Sequence, residues 1–245
     1  MIKSADQKRA SMRDRRRYFY WILLLALPAF AADAGILGKP YTTWTLEEAV
    51  EVLNQSPWAR QETFTRVIGG IGSGILGEKE IYSTFFVRFL SARPVRQAYA
   101  RVKQIKAGYD QMDRAAKRKF DAALNPGLKM DVSNWIVVAV SFRSNDPSLE
   151  LQITQFLQGQ TTETMKARAF ISTPRFHQVK LSAYFTPQDD VVGAKFVFPR
   201  RIQGVPVVIP EDQVVSFELD VPSFEQDLRA NFFVTRMVVK GEPLL

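Results

Sequence analysis

The chain has no cysteine and only one histidine, His177, among its 245 residues. The absence of cysteine excludes disulfides, thiol nucleophiles and thiolate metal sites, so the fold must be stable through packing alone. A single histidine also excludes a multi-histidine zinc site. The hydrolase patterns G-x-S-x-G, H-E-x-x-H and S-x-x-K are absent as well. The composition therefore favours a non-catalytic protein, and we expect no cofactor and no metal.

Long apolar runs are scarce too, and the most prominent one extends from Tyr18 to Ala32, after a basic stretch. As a helix, this run would be about 22 Å long, whereas the apolar core of a bilayer is about 30 Å thick. Its end, Ala29-Phe30-Ala31-Ala32-Asp33-Ala34, offers two Ala-x-Ala cleavage patterns. We therefore predict that residues 1–34 are a signal peptide and that the remainder is periplasmic or secreted.

Two alternatives stay open for this N-terminal segment. It can be an uncleaved anchor in the inner membrane, with its arginines on the cytoplasmic side. The segment Arg16-Arg17-Tyr18-Phe19 also matches the R-R-x-F core of the twin-arginine export route, so the sequence leaves the route undecided.

Half of the charge surplus belongs to the predicted signal peptide and not to the exported part. The whole chain carries a formal net charge of +8, and removal of residues 1–34 leaves about +4. The remaining surplus is too small and too dispersed to indicate nucleic-acid binding, which we do not expect.

Residues 44–125 are predicted to be rich in helix. Thr45 and Glu48 form a capping box that starts a helix with Leu46, Ala49, Val50 and Leu53 on one face. Two more helices are expected, one from Pro94 past Ile105 and one from Asp110 to Leu124, ended by Asn125-Pro126-Gly127.

Residues 135–240 are predicted to be rich in strand. Trp135 to Phe142 is apolar on both faces, which is typical of a buried central strand, and a short helix is expected from Pro147. Further candidate strands lie at 81–90, 166–172, 178–185, 194–198, 205–209, 214–221 and 232–239. We predict one α+β domain over residues 35–245. Its mostly antiparallel sheet comes from the C-terminal half, is joined by the strand near Phe85, and is covered by the N-terminal helices.

A basic segment in the helical half is the one candidate binding surface. Residues 93–121 hold nine lysines and arginines against three aspartates. A surface of this kind can contact anionic headgroups, acidic polysaccharide or an acidic partner protein. It can equally be a solvated helix face over an apolar stripe. The residues that we select as candidates for contact with an anionic surface are Arg96, Arg101, Lys103, Lys106, Lys117 and Arg118.

Two other patterns carry weaker functional hypotheses. Asp189 and Asp190 could join Glu211 and Asp212 as a carboxylate cluster for hydrolysis or calcium, although both pairs follow prolines as turn residues do. The stretch from Gly72 to Gly77 spells G-x-G-x-x-G, but no βαβ unit surrounds it, so we predict a flexible loop.

The chain resembles a group of exported bacterial proteins that have no assigned activity. The resemblance rests on Trp44-Thr45-Leu46-Glu47-Glu48-Ala49 and Ser56-Pro57-Trp58-Ala59, which give the pattern W-T-x-E-E-A … S-P-W-A. Three further segments support it, 87–96, 196–200 and 232–238. It implies export and one continuous domain, and it assigns no site residue.

We therefore expect an exported, non-catalytic binding or assembly module of the cell envelope. Its partner is an envelope protein or an anionic surface. There are two alternatives. One is a secreted carboxylate-dependent hydrolase. The other is a membrane-surface protein held by an uncleaved anchor, and that anchor would be its contact with the membrane.

The first testable prediction concerns the N-terminus. We expect the exported protein to begin at Ala32 or Gly35, because the Ala-x-Ala patterns end there. Intact-mass analysis of protein from the producing cell measures this directly. A membrane-bound species that retains residues 1–31 would establish the anchor instead.

Overall fold

The computed structural model describes residues 35–68, 79–188, 191–222, 224, 227–239 and 242–245. Its helices are α1 (Leu46–Gln55), α2 (Arg93–Lys106), α3 (Arg114–Leu128), α4 (Pro147–Gln158) and α5 (Thr162–Met165), with 3₁₀ turns at Tyr41–Thr43, Tyr109–Gln111 and Val234–Arg236. Its strands are β1 (Ala59–Ile68), β2 (Lys79–Phe89), β3 (Trp135–Ser144), β4 (Ala169–Ser172), β5 (Val179–Lys180), β6 (Ala183–Phe185), β7 (Ala194–Pro199), β8 (Arg201–Ile202), β9 (Val205–Pro206), β10 (Val214–Leu219), β11 (Leu228–Phe233), β12 (Val238–Val239) and β13 (Glu242–Pro243).

The strands form two main sheets. The larger has the order β1-β2-β3-β7-β6, the smaller has the order β11-β10-β4-β5, and β8–β9 and β12–β13 are two-stranded ribbons. Every pairing between the described strands is antiparallel. The predicted α+β class with antiparallel sheets is therefore confirmed, and the strand near Phe85 joins the larger sheet as β2.

Aromatic side chains join the inner faces of the two sheets. The ring of Phe89 lies 4.7 Å from that of Phe232, measured between centroids, and Phe196 lies 5.3 Å from Phe217. Both contacts are edge-to-face, the arrangement that aromatic quadrupoles favour. Because strand side chains alternate between faces, Phe85, Val87 and Phe89 of β2 all point into this core and are fully buried.

Helices α1 and α2 cover the outer face of the larger sheet. Trp44 and Trp58, which flank α1, are each only 1% exposed. The capping box of α1 is confirmed, because Thr45 Oγ1 accepts from the Glu48 N–H at 3.1 Å and Glu48 Oε2 accepts from the Thr45 N–H at 2.9 Å.

The buried stripe of α1 differs from the predicted one. Ala49, Val52 and Leu53 are buried, while Leu46 and Val50 are exposed. The helix is rotated so that its last turn, next to Arg88, faces the sheet. A tertiary contact therefore decides which of the apolar residues are covered.

Arg88 has an unusual environment for a charged residue. A charge in an apolar strand normally reaches solvent or a carboxylate, but Arg88 is only 7% exposed and has no salt bridge among the described residues. Its guanidinium instead donates to four oxygens, Leu53 O at 2.5 Å, Asn54 Oδ1 at 2.9 Å, Tyr99 OH at 3.2 Å and Ser141 Oγ at 3.1 Å. Burial lowers the pKa of Arg88, yet an arginine stays charged.

Most predicted elements are present, but the one predicted sheet is two main sheets, the helix expected from Asp110 begins at Arg114, and the strand expected at 205–209 is reduced to Val205–Pro206. Strand β1 was not predicted, because its sequence ARQETFTRVI is polar along one face. Helix α3 continues through Pro126 to Leu128 instead of ending at residues 125–127. The strand predicted at 178–185 is split into β5 and β6, which belong to different sheets. The last predicted strand begins earlier, at Leu228, and ends in a 3₁₀ turn.

No helix in the described part of the chain is long and apolar enough to cross a membrane. The predicted signal peptide and the glycine-rich loop at Gly72 to Gly77 lie outside the described residues.

Substitution of Arg88 tests its role in joining the elements around it. We expect Arg88→Met to lower the free energy of unfolding by about 3–5 kcal/mol, because it strands buried oxygens that the guanidinium satisfies. Arg88→Lys should cost less, because an ammonium keeps the charge and supplies three donors. Urea denaturation measures both, and a Met variant as stable as the parent would contradict this role.

The two buried tryptophans provide a matched pair. Either Trp→Ala change should cost about 3–5 kcal/mol, as is usual for a deleted core aromatic. Trp44 Nε1 donates to Ile36 O at 3.0 Å, whereas buried Trp58 Nε1 has no partner among the described residues. Trp44→Phe should therefore cost about 1–2 kcal/mol more than Trp58→Phe. Equal costs in chemical denaturation would show that the Ile36 bond contributes nothing.

Candidate functional site

The six basic residues selected from the sequence lie on helices α2 and α3, and their environments differ. Arg96 lies near the start of α2, and Lys106 lies at its end, about 15 Å further along the axis. Lys103 and Lys106 are exposed at the C-terminal turn of α2, where cations interact favourably with the helix dipole. Arg118 is exposed on α3.

Arg101 and Lys117 make contacts that stabilise the fold. The buried Arg101 donates to both carboxylate oxygens of Asp110, at 3.2 and 3.0 Å, and to Trp44 O at 2.7 Å. Lys117 donates to the Asp110 carbonyl at 3.2 Å and lies 5.4 Å from the Tyr109 ring centroid. Both side chains therefore hold the 3₁₀ turn at Tyr109–Gln111 between α2 and α3.

Arg96 belongs to a different group of arginines. We use the term arginine cluster for Arg93 and Arg96 at the start of α2 together with Arg200 and Arg201 at the end of β7. Arg96 donates to the main-chain oxygens of Leu90 and Ser91 and, at 3.4 Å, to that of Leu128. These contacts hold its guanidinium against the point where α3 ends.

Arg200 lies on the other side of the same connection between α3 and β3. Its side chain donates to Val132 O at 3.0 Å and to Trp135 O at 3.1 Å, and also to the main-chain oxygen of Leu245. Its own N–H donates to Asn134 O at 2.9 Å. The connection 129–134 is therefore bound by Arg200 and bordered by Arg96.

The charges of neighbouring arginines in the cluster act on one another. The pKa of Arg96 is lowered mainly by burial and then by the charges of Arg93 and Arg200. The pKa of Arg200 is likewise lowered by burial and by the charge of Arg201. Among the described residues, none of the four forms a salt bridge with an aspartate or glutamate side chain. The cluster is thus a concentration of positive charge without a side-chain carboxylate in contact in the described part of the chain.

An exposed aromatic lies beside the arginine cluster. Trp135 is 41% exposed at the start of β3, next to the Arg200 side chain. Asp131, the acidic residue of the connection, accepts hydrogen bonds from the N–H and the hydroxyl of Ser133. This surface therefore combines cations and an indole ring, two groups that are enriched where proteins meet partners and headgroups.

Of the four carboxylates considered for hydrolysis or calcium, Glu211 and Asp212 are described by the structure. Asp212 is buried, and its two oxygens accept from Arg175 at 3.1 Å each and from the Ile209 N–H at 2.9 Å. Glu211 is exposed, and Asp189 and Asp190 lie outside the described residues. The described part of the chain holds no group of three His, Cys, Asp or Glu side chains able to bind a metal ion.

One cleft on the surface has few ionisable groups in its described lining. It measures about 810 Å³ and lies between the β1–β2 hairpin, α4 and Phe224. Its ionisable lining residues are Arg66 and Asp146, and Asp146 caps α4 by accepting from the Ser148 N–H at 3.0 Å. The single histidine, His177, is exposed in the loop between β4 and β5, remote in sequence from these residues.

No protein-family model, no curated protein and no solved structure matches this chain.

Sequence reasoning selected Arg96 but missed Arg93, Arg200 and Trp135 as its neighbours. Arg200 and Arg201 are about a hundred residues away from Arg96 in sequence. Only the pairing of β3 with β7, which places Trp135 opposite Pro199, brings them to the start of α2.

The environments of Arg101 and Lys103 give a testable contrast. We expect Arg101→Gln to lower the free energy of unfolding by about 2 kcal/mol, because it removes buried hydrogen bonds to a carboxylate and a carbonyl. Lys103→Gln, two residues away on the exposed face, should change it by less than about 0.5 kcal/mol. Thermal and urea unfolding measure both. Equal effects would show that Arg101 has no structural role.

Proposed function

We propose that the chain is an exported, non-catalytic binding module of the cell envelope, and that the arginine cluster binds an anionic ligand. The observation that carries this proposal is the convergence of four arginines beside the exposed Trp135, none of which pairs with an aspartate or glutamate among the described residues. A protein normally avoids such repulsion unless an anion relieves it, because unpaired like charges destabilise the folded state.

The chemistry of guanidinium groups indicates the class of ligand. Each guanidinium presents planar donors that match two oxygens of a phosphate or carboxylate. Arg96 and Arg200 are held by main-chain oxygens, so little side-chain entropy remains to be lost when a ligand binds. Arg93 and Arg201 are exposed and supply the accessible charges. The ligand therefore carries clustered phosphate or carboxylate groups, as anionic lipid headgroups and acidic polysaccharides do.

The other two functions have less support. A carboxylate-dependent hydrolase needs a free acid, and Asp212 is occupied by Arg175. An uncleaved N-terminal anchor is compatible with the proposal, because it would hold the arginine cluster near headgroups.

The prediction is tested by cosedimentation of the exported chain, residues 35–245, with vesicles. We expect binding to vesicles that contain anionic phospholipid and none to neutral vesicles. Arg93→Gln/Arg201→Gln should weaken binding about 20- to 30-fold, since each cation near an anionic surface contributes about 1 kcal/mol. Binding should fall steeply above about 0.15 M salt.

The matched control is Lys103→Gln/Lys106→Gln, which removes the same charge from the other end of α2. This control should bind almost as the parent does. A parallel arm with acidic polysaccharide separates the two sources of anion. Absence of binding to either at low salt, with normally folded protein, would contradict the proposed function, and equal losses in both variants would assign the binding to overall charge.

A further inference from the structure

Strand β1 is an open edge of the larger sheet. It pairs with β2 over ten consecutive residues, without a bulge, and with no other described strand. The Phe89 N–H donates to Trp58 O at 2.9 Å, which fixes the alternation of hydrogen bonds along this pair. Because an antiparallel ladder uses every second residue, the N–H and C=O groups of Gln61, Thr63, Thr65 and Val67 point away from β2.

These outward main-chain groups have no main-chain partner in the described part of the chain, although β11 lies against the Arg60 end of the strand, where Arg60 Nε donates to Asn231 O at 2.9 Å. The strand has no proline, and Val67 at its far end is 52% exposed. Natural sheets usually cover or interrupt such an edge, because it is a template for another strand. A long, regular and open edge therefore indicates that a strand from a partner pairs with it.

The side chains of β1 are complementary to those of a second, antiparallel β1. Glu62, Phe64 and Arg66 share the face that points toward the core side, since they lie opposite Phe85, Ser83 and Ile81.

A two-fold axis through Phe64 would place Glu62 of each copy opposite Arg66 of the other. Thr63 would then face Thr65, and Gln61 would face Val67. This register would therefore create two Glu62–Arg66 ion pairs between the two copies.

Glu62 and Arg66 are the charged residues of β1 that this register would pair. Neither Glu62 nor Arg66 takes part in a salt bridge among the described residues. Partial burial raises the pKa of Glu62, and the charge of Arg60 lowers it only in part. A cation placed opposite Glu62 would therefore be favourable.

We propose that two copies of this chain associate through their β1 edges, antiparallel and centred on Phe64, so that their larger sheets become one continuous sheet. The four outward residues of each copy would form about eight interstrand hydrogen bonds in this register. The contact is small compared with obligate interfaces, so it is expected to form in the micromolar range. It is independent of the arginine cluster, which involves other strands and helices.

The experiment measures the oligomeric state of the exported chain by sedimentation velocity between about 1 and 300 μM. We expect a monomer–dimer equilibrium. Glu62→Arg or Arg66→Glu alone should weaken the dimer at least tenfold, because each creates like charges across the interface. The double exchange Glu62→Arg/Arg66→Glu should restore it. Glu47→Arg, the same charge change on the exposed face of α1, is the control and should leave the equilibrium unchanged.

Two further variants test whether the dimer forms through the β1 edge and not through another surface. Thr63→Pro removes an outward N–H that has no partner among the described residues, together with an exposed hydroxyl contact to Thr84 Oγ1 at 2.9 Å, so it should abolish the dimer while the thermal unfolding temperature stays near that of the parent. Thr63→Cys/Thr65→Cys should form an intermolecular disulfide in oxidising buffer, because these positions face each other across the two-fold axis. The cysteine-free chain supplies no competing thiol.

The outcomes decide the proposal. A protein that remains monomeric at 300 μM overturns it, and so does a dimer that tolerates Thr63→Pro and shows no recovery in the charge exchange. Neither result affects the vesicle-binding test, since Arg93 and Arg201 are unchanged in all these variants.

Discussion

The hydrogen bonds of the buried Arg88 guanidinium are the interaction on which the arrangement of the helices over the larger sheet depends. This one side chain joins β2 to the end of α1, to Tyr99 of α2 and to Ser141 of β3. A buried cation is costly unless its donors are satisfied, so the surrounding oxygens must be held in a narrow range of positions. The orientation of α1, with Leu53 toward the sheet, follows from this requirement.

A second constraint on the core is the close approach of the residue before β7 to strand β3. At Gly193, just before β7, an added Cβ atom would lie 2.1 Å from the Val140 carbonyl oxygen. The backbone there also has a φ of +91°, which glycine adopts without strain. Glycine at this position lets β7 enter the sheet beside β3. That pairing in turn brings Arg200 beside the start of α2 and so creates the arginine cluster.

Outside the core, two surfaces are candidates for recognition. One is the arginine cluster at the start of α2, and the other is the edge strand β1 of the larger sheet. Among the described residues, neither surface holds a group of three His, Cys, Asp or Glu side chains that could bind a metal ion. Both are suited to recognition: one through charge and the other through main-chain hydrogen bonds. Their separation would let a self-associating protein present two cationic surfaces at once, which strengthens binding to a repetitive ligand.

Local sequence patterns were sufficient to predict the α+β class and most of the helices and strands, because capping boxes, helical periodicity and apolar strands are local features. The Thr45 cap, the central strand beginning at Trp135 and the helix after Pro147 are examples. Local patterns failed at β1, whose polar face resembles a loop until β2 pairs with it, and at Arg88, whose partners come from three other elements. They also grouped basic residues by their position along the chain. The tertiary structure shows instead that Arg101 supports a turn, whereas Arg96 lies beside Arg200. Charges interact through space, and strand pairing determines which residues distant in sequence become neighbours.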